Sequence, residues 1–290
     1  MRKGVLLVSL GLLWAMRLSA IKAAGLSGIP VYVVVGVSTV GIAILFSVVA
    51  MIWHSWPPLS KEAIIFYILS GLLGFILPFS LESLVAPHIP VFVLGVIIAT
   101  MPIMTVAISA IAGHRTFSKG AISAVILGFV GVLFLVWDSA EFHPNGESDV
   151  IWVAIAFGVP LLYAVNAVFI ATRWPVATNT MQVAHAQALI LSTGVLAGGF
   201  AIDGPSIWIK ASMNAPAMAT IILCEGGALM LYLKIARDYG AIYVSFANYV
   251  SMLFAALIGV YAFGDQLTWN SALAAAAIIS SVALYQRKAD

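Results

Sequence analysis

The feature that most constrains this chain is its succession of long apolar runs, which follow one another from end to end with only short joints between them. A helix needs about 20 mainly apolar residues to cross the hydrocarbon core of a bilayer. Within that core every backbone N–H and C=O must be paired inside its own segment, so runs of this kind read as helices. Ten are marked off, near Gly4 to Ala24, Pro30 to Trp53, Ala63 to Leu84, Ile89 to Ala112, Gly120 to Val136, Val150 to Thr172, Gln182 to Ile202, Pro216 to Ala236, Ala241 to Phe263 and Trp269 to Tyr285. Charged residues are 8% of the 290 and the mean hydropathy is +1.11, against roughly a quarter charged in a soluble domain. The expected fold is an all-α integral membrane protein with ten transmembrane helices.

Local chemistry marks several ends. Asn214 followed by Pro216 reads as a helix start, and Asn179 with Gln182 three residues on resembles a capping pair. The longest joint, Asp138 to Asp149, contains Phe142-His143-Pro144-Asn145-Gly146-Glu147 and divides the chain nearly in half. The organisation expected is a first unit of five helices over 1–138, a linker over 139–149 facing outward, and a second unit of five helices over 150–290. The opening, with Arg2 and Lys3 before an apolar run, has the charge pattern of a signal peptide. Arg17 interrupts the end of that run, and the segment has an internal counterpart, so it is read as the first span.

The basic residues are informative through their sidedness. With the amino terminus in the cytoplasm, Arg2, Lys3, Lys61, Arg115, Lys119, Arg173, Lys234, Arg237, Arg287 and Lys288 fall on that side, and only Lys22 and Lys210 fall outside. This predicts both termini in the cytoplasm and an inner (plasma) membrane location. A net charge of +2 without a basic cluster gives no footprint for nucleic acid. The single cysteine, Cys224, excludes an internal disulfide and a cysteine-based zinc site. His54, His88, His114, His143 and His185 show no metal-ligand spacing, and neither a phosphate-binding Gly-rich loop nor a Gly-x-Ser-x-Gly turn is present. No cofactor is expected, and no enzymatic activity.

The two halves echo each other. Leu12-Leu13-Trp14-Ala15 with Ile21 aligns at one constant offset with Leu161-Leu162-Tyr163-Ala164 with Ile170, which sets Arg17 opposite Asn166. Met101 pairs with Met252, and Gly113 with Phe117-Ser118 resembles Gly264 with Leu267-Thr268. Five spans per half would make the second half enter the membrane from the opposite side, an inverted repeat that places a binding site near the midplane between the halves.

On these residues the chain resembles the drug/metabolite transporter superfamily, and within it the ten-helix EamA-like exporters. The likeness rests on the Leu12-Leu13-Trp14-Ala15 opening with Lys22 at the helix end, on Pro102 before an apolar helix ending at Gly113, and on Gly264-Asp265-Gln266-Leu267-Thr268. His114 stands at the family's acidic position in the first half, and Leu253 where a proline is expected in the second. The resemblance implies export of small metabolites such as amino acids or drug-like solutes, with proton or exchange coupling, by alternating access. A rival reading from the residues is an intramembrane enzyme or lipid-handling protein, which also needs carboxylates at membrane depth.

The candidate site follows from what is costly in a bilayer. Arg17, two thirds along the first span, carries a charge that costs about 2.5–3.5 kcal/mol near a helix centre. Glu225 lies at a similar depth in the eighth span, while Glu82 falls nearer the outer end of the third. Either acid can pair with Arg17, and depth favours Glu225. The alternative to a substrate site is a buried ion pair that fixes helix packing. Asn166 and Asn248 need hydrogen-bond partners in the bilayer. Trp14 and Tyr163, at matching repeat positions, would flank a flat or apolar substrate or simply pack; Tyr249 and Ser251 enter as neighbours of Asn248. The expected partners are the lipid bilayer, a small-molecule solute and a coupling proton. Gly194 with Gly198 and Ala272 with Ala276 read as small-residue pairs packed within the protomer, with a dimer face as the other reading. The remaining tryptophans, Trp53, Trp56, Trp152, Trp174, Trp208 and Trp269, read as interfacial anchors.

Overall fold

The computed structural model describes residues 2–89, 91–113, 119–137, 147–258 and 269–289. Among them the regular structure is helical: α1 (Arg2–Leu26), α2 (Val31–Trp53), α3 (Lys61–Gly71), a π-helical turn (Leu72–Ile76), α4 (Leu77–Val85), α5 (Val91–Ile98), α6 (Met101–Ile111), α7 (Lys119–Trp137), α8 (Glu147–Ala156), α9 (Gly158–Arg173), α10 (Thr180–Asp203), α11 (Ser206–Ser212), α12 (Ala215–Tyr239), α13 (Ala241–Ser245), α14 (Ala247–Ile258) and α15 (Trp269–Ala289). Among the described residues seven segments are long and apolar enough to cross a membrane: Lys3–Leu26, Val31–Trp53, Lys61–Val85, Val93–Ile111, Ile151–Arg173, Thr180–Asp203 and Ala215–Tyr239. Lys119–Phe134, Ala241–Ala255 and Ala272–Tyr285 are shorter apolar helices. Residues 139–146 of the linker predicted over 139–149, His114 and the Gly264-Asp265-Gln266-Leu267-Thr268 stretch lie outside the described residues, as does Phe263 at the predicted end of the ninth span.

Helix ends follow the local chemistry. Asn179 and Gln182 form the expected reciprocal cap, each side-chain oxygen accepting the other's backbone N–H at 2.9 Å. The Asn214 carboxamide caps α12, accepting from Ala217 N–H at 3.2 Å, with Pro216 in the first turn where its missing N–H costs nothing. Ser60 caps α3 in the same way.

Several apolar runs that read as continuous helices are interrupted instead. Pro78 offers no N–H to the carbonyl four residues before it, so the α-ladder is broken there whatever its neighbours do. The chain widens just upstream into the π turn at Leu72–Ile76. The run at 91–111 breaks at Ala99–Thr100, ahead of Pro102, where Thr100 Oγ1 donates to the Ile97 carbonyl. The ninth predicted span breaks at Phe246 without a proline; Asn248 Nδ2 donates to the Ser245 carbonyl at 3.2 Å and occupies an acceptor that the lost helical turn leaves open. The joint before α12 contains α11, a helix the hydropathy pattern does not announce. Its Ile207 is buried, and Lys210 pairs at 2.7 Å with Asp203, whose carboxylate also accepts from the Tyr32 hydroxyl.

Packing joins the first part of the chain to the last. α1 lies against α12 and α14, while α9 lies against α4 and α6; α2 pairs with α10, and α7 with α15. The α7–α15 approach is close because a Cβ at Gly131 would already meet the Ala274 carbonyl and the Ile278 and Ala277 side chains at 2.9–3.1 Å. The other small-residue pairs are not used this way. A Cβ at Gly194 or Gly198 would meet nothing within 4 Å, and Ala272 and Ala276 are exposed. The reading of both pairs as packing within the protomer is therefore corrected: among the described residues all four positions are exposed.

Candidate functional site

One guanidinium holds two carboxylates at the centre of the protein. Arg17 of α1 lies 2.5 Å through Nη2 from Glu82 Oε2 of α4, and 3.0 Å through Nη1 from Glu225 Oε2 of α12. All three side chains are buried, Glu82 completely. The Phe79 ring lies 5.9 Å from the guanidinium carbon, and Arg17 Nη2 also donates to the Tyr163 hydroxyl of α9 at a long 3.5 Å. The ionised cluster carries one negative charge in excess. Arg17 Nε and both Glu82 oxygens remain without an aligned hydrogen-bond partner. In a medium where unpaired charge costs several kcal/mol, such spare capacity sits only where water or a ligand can reach it.

A cavity of about 30 Å³ borders the cluster, lined by Trp14, Arg17, Leu18, Glu82, Tyr163, Gly95, Ile98, Asn248, Ser251 and Met252 among others. That volume holds about two water molecules. The Trp14 and Tyr163 rings meet at a tilt, 5.7 Å between centroids, and Tyr232 of α12 completes a triangle at 6.0 Å from Trp14 and 5.8 Å from Tyr163. The Tyr232 hydroxyl donates to the Tyr163 carbonyl at 3.0 Å and accepts from Asn166 Nδ2 at 3.3 Å.

Trp14, Arg17, Glu82, Tyr163, Asn248 and Ser251 thus share one cavity wall, and Glu225 backs it through Arg17. Depth favours Glu225 as the partner of Arg17 in the sequence, yet both acids pair with it, and Glu82 more closely. Glu82 lies three residues before the end of α4 and Arg17 nine before the end of α1, yet they pair, so the two helix ends are not level and a ruler laid from the end of each span misplaces Glu82. Asn166 stands off the cavity, over Gly74, and serves the Tyr232 hydroxyl. Tyr249 points elsewhere: its hydroxyl donates to the Val125 carbonyl at 2.8 Å and its ring packs against Gly128, tying α14 to α7. Asn248 Nδ2 touches Met101 Sδ at 2.9 Å. Tyr232 and Met252 escape the sequence reading, although Tyr232, seven residues after Glu225, lies on the same helix face. Cys224 is buried. Among the described residues no group of three metal-ligating side chains is assembled.

The helices and this buried ionic centre define a multi-pass membrane protein. Residues 2–137 match the model of the EamA-like transporter family, which belongs to the drug/metabolite transporter superfamily of membrane transporters. The resemblance read from the sequence holds over that range. Among curated proteins none matches by sequence. A solved crystal structure is similar over 100% of this chain and 98% of its own, with a TM-score of 0.73 at 15% identity, a likeness of fold alone.

Proposed function

We propose that the protein is a secondary transporter that exports small metabolites, such as amino acids or drug-like solutes, by alternating access around the Arg17 cavity. In this reading the seven long spans and three shorter apolar helices make ten crossings. They form two inverted units, 1–138 and 150–290, joined by an outward linker over 139–149. The pairing of helices supports the repeat, since α1 on α14 and α12 is mirrored by α9 on α6 and α4. Both termini would lie in the cytoplasm, and the membrane would be the inner one.

The observation that carries this reading is that Arg17 bridges Glu82 from the first half and Glu225 from the second. Interactions that span the seam are the ones that a rocking of the halves must remake. The excess negative charge suits a substrate bearing an ammonium group, whose own carboxylate, where it has one, would turn to Arg17. A coupling proton would neutralise the same charge when the site is empty. An enzyme would gather its catalytic groups on one rigid wall; here the charged groups are divided between the halves. At about 30 Å³ the cavity is too small for such a solute, which fits an occluded form. The test is counterflow in proteoliposomes with a panel of amino acids, nucleosides and cationic drugs, comparing the parent with Arg17→Met and Glu225→Gln. Loss of transport, or a raised KM, is expected. Full transport at unchanged affinity removes these residues from the site, and transport indifferent to an imposed pH gradient removes proton coupling.

A further inference from the structure

The ring triangle next to the ionic cluster lies on one side of it. α1 and α12 run antiparallel, as three contacts in sequence show: Ser27 with Asn214, Arg17 with Glu225, and Trp14 with Tyr232. Trp14, Tyr163 and Tyr232 are therefore nearer than the ion cluster to the membrane face that carries the start of α1. All three are buried, and one comes from the first half while two come from the second. The tyrosines are locked together by the Tyr232 hydroxyl, bonded both to the Tyr163 carbonyl and to Asn166. Trp14 meets them through tilted ring contacts, so the triangle can part along the seam between Trp14 and the tyrosine pair without breaking either of those bonds.

Beyond the rings, toward the same face, the interior becomes polar again. Asn166 rests over Gly74 and Gln187 of α10 over Gly71, one turn further out along α3 and the π turn. Gln187 is buried, yet both of its amide atoms lack hydrogen-bond partners, as do Ser70 Oγ and Asn166 Oδ1. Buried amides left open in this way are satisfied by water. Polar capacity thus lies on both sides of a dry layer of three rings.

We propose that Trp14, Tyr163 and Tyr232 form the gate that closes the solute path toward the α1-start face, and that Gln187, Asn166 and Ser70 line a hydrated vestibule behind it. The π turn, whose looser ladder bends more readily than an α-helix, carries Gly74 in the vestibule wall and leads into α4 with Glu82 in the site. Opening of the gate and release of the ion pair are thereby coupled through one short segment.

The inference rests on the alternating-access reading, but its test does not measure transport. In a Cys224→Ala background, Ser251→Cys reports the cavity and Gln187→Cys the vestibule to a membrane-impermeant maleimide applied to either face of oriented vesicles. Gln187→Cys is expected to react from the α1-start face, and Ser251→Cys faster from the opposite face than from this one. Tyr232→Phe keeps the ring and removes a doubly bonded hydroxyl, so it should raise the reaction of Ser251→Cys from the α1-start face by up to about tenfold, and Trp14→Ala should raise it further. An unchanged reaction from the opposite face certifies that each variant is folded. If both variants leave the α1-start rate unchanged while that control holds, or if the parent reacts equally from both faces, the gate is overturned. A Gln187→Cys that never reacts overturns the vestibule. Gated labelling in a protein that moves no solute would overturn the transporter reading and leave the barrier standing.

Discussion

Trp14 and Tyr163 occupy aligned positions in the two halves of the sequence, and in the protein their rings meet, 5.7 Å apart between centroids. Equivalent positions in two units touch one another only close to the axis that relates the units. The same alignment sets Arg17 opposite Asn166, and these flank the ring pair, one in the ionic cluster and the other bonded to Tyr232. The contact places the centre of any such axis beside the cavity.

Charge arithmetic ranks the ionic variants. Arg17→Met leaves two buried carboxylates facing each other and should cost about 3–5 kcal/mol, whereas Glu82→Gln leaves one balanced pair and should cost clearly less. Thermal unfolding in detergent gives the order, and the double variant Arg17→Met with Glu225→Gln should recover part of the loss. An Arg17→Met protein as stable as Glu82→Gln would mean that the cluster is already hydrated enough to ignore its charge.

Gly74 is small because the Asn166 amide occupies the space its side chain would need. Gly74→Ala is expected to destabilise by about 1–3 kcal/mol, and the same substitution in an Asn166→Ala background by much less. A double-mutant cycle showing independent effects would separate the two residues.

The reciprocal cap at the start of α10 also bridges to the joint after α2, since Asn179 Nδ2 donates to Ser55 Oγ at 3.1 Å and Gln182 Nε2 to the Trp56 carbonyl at 2.8 Å. Asn179→Ala should cost about 1 kcal/mol and speed amide exchange at the first turn of α10 and at 54–56 together. Exchange that rises in α10 alone would show that the bridge adds nothing.

Lys210 lies outside the spans, and its hydrogen bonds to Asp203 first and Tyr32 second raise its pKa above the ordinary lysine value. A lysine whose folded pKa is raised stabilises fully below the unfolded value, near 10.4, and loses that contribution as pH climbs through the folded one. The docking of α11 should accordingly hold at neutral pH and loosen in strong alkali, with Lys210→Met loose at every pH. Proteolysis within 204–212 reads this directly; a Lys210→Met protein cut no faster than the parent would exclude the latch.

The sequence carried the fold's outline because the bilayer applies a single strong rule, and Arg17 with Glu225 was found because a ruler of 1.5 Å per residue is accurate along unbroken helices. Glu82 reads as too near the surface because a count from the helix end gives depth only where helix ends are level, which hydropathy does not register. Tyr249 was grouped with Asn248 by adjacency, although neighbours on a helix point about 100° apart and its hydroxyl serves α7 instead. The short α11 was missed since its seven residues hold too few apolar positions for a period to emerge. Gly194 and Gly198 show the limit of composition: a stripe that permits close packing does not supply the neighbour.

The wide turn at Leu72–Ile76 also sets the phase of everything after it. It behaves as one residue inserted into an α-helix and absorbed, so an ordinary α-helix over the same residues would swing Leu77–Val85 by roughly 100°. Glu82 would then face away from Arg17 while every apolar residue of the span stayed in the membrane. A substitution that rewound this turn would thus disarm the protein without any trace in its length or hydropathy.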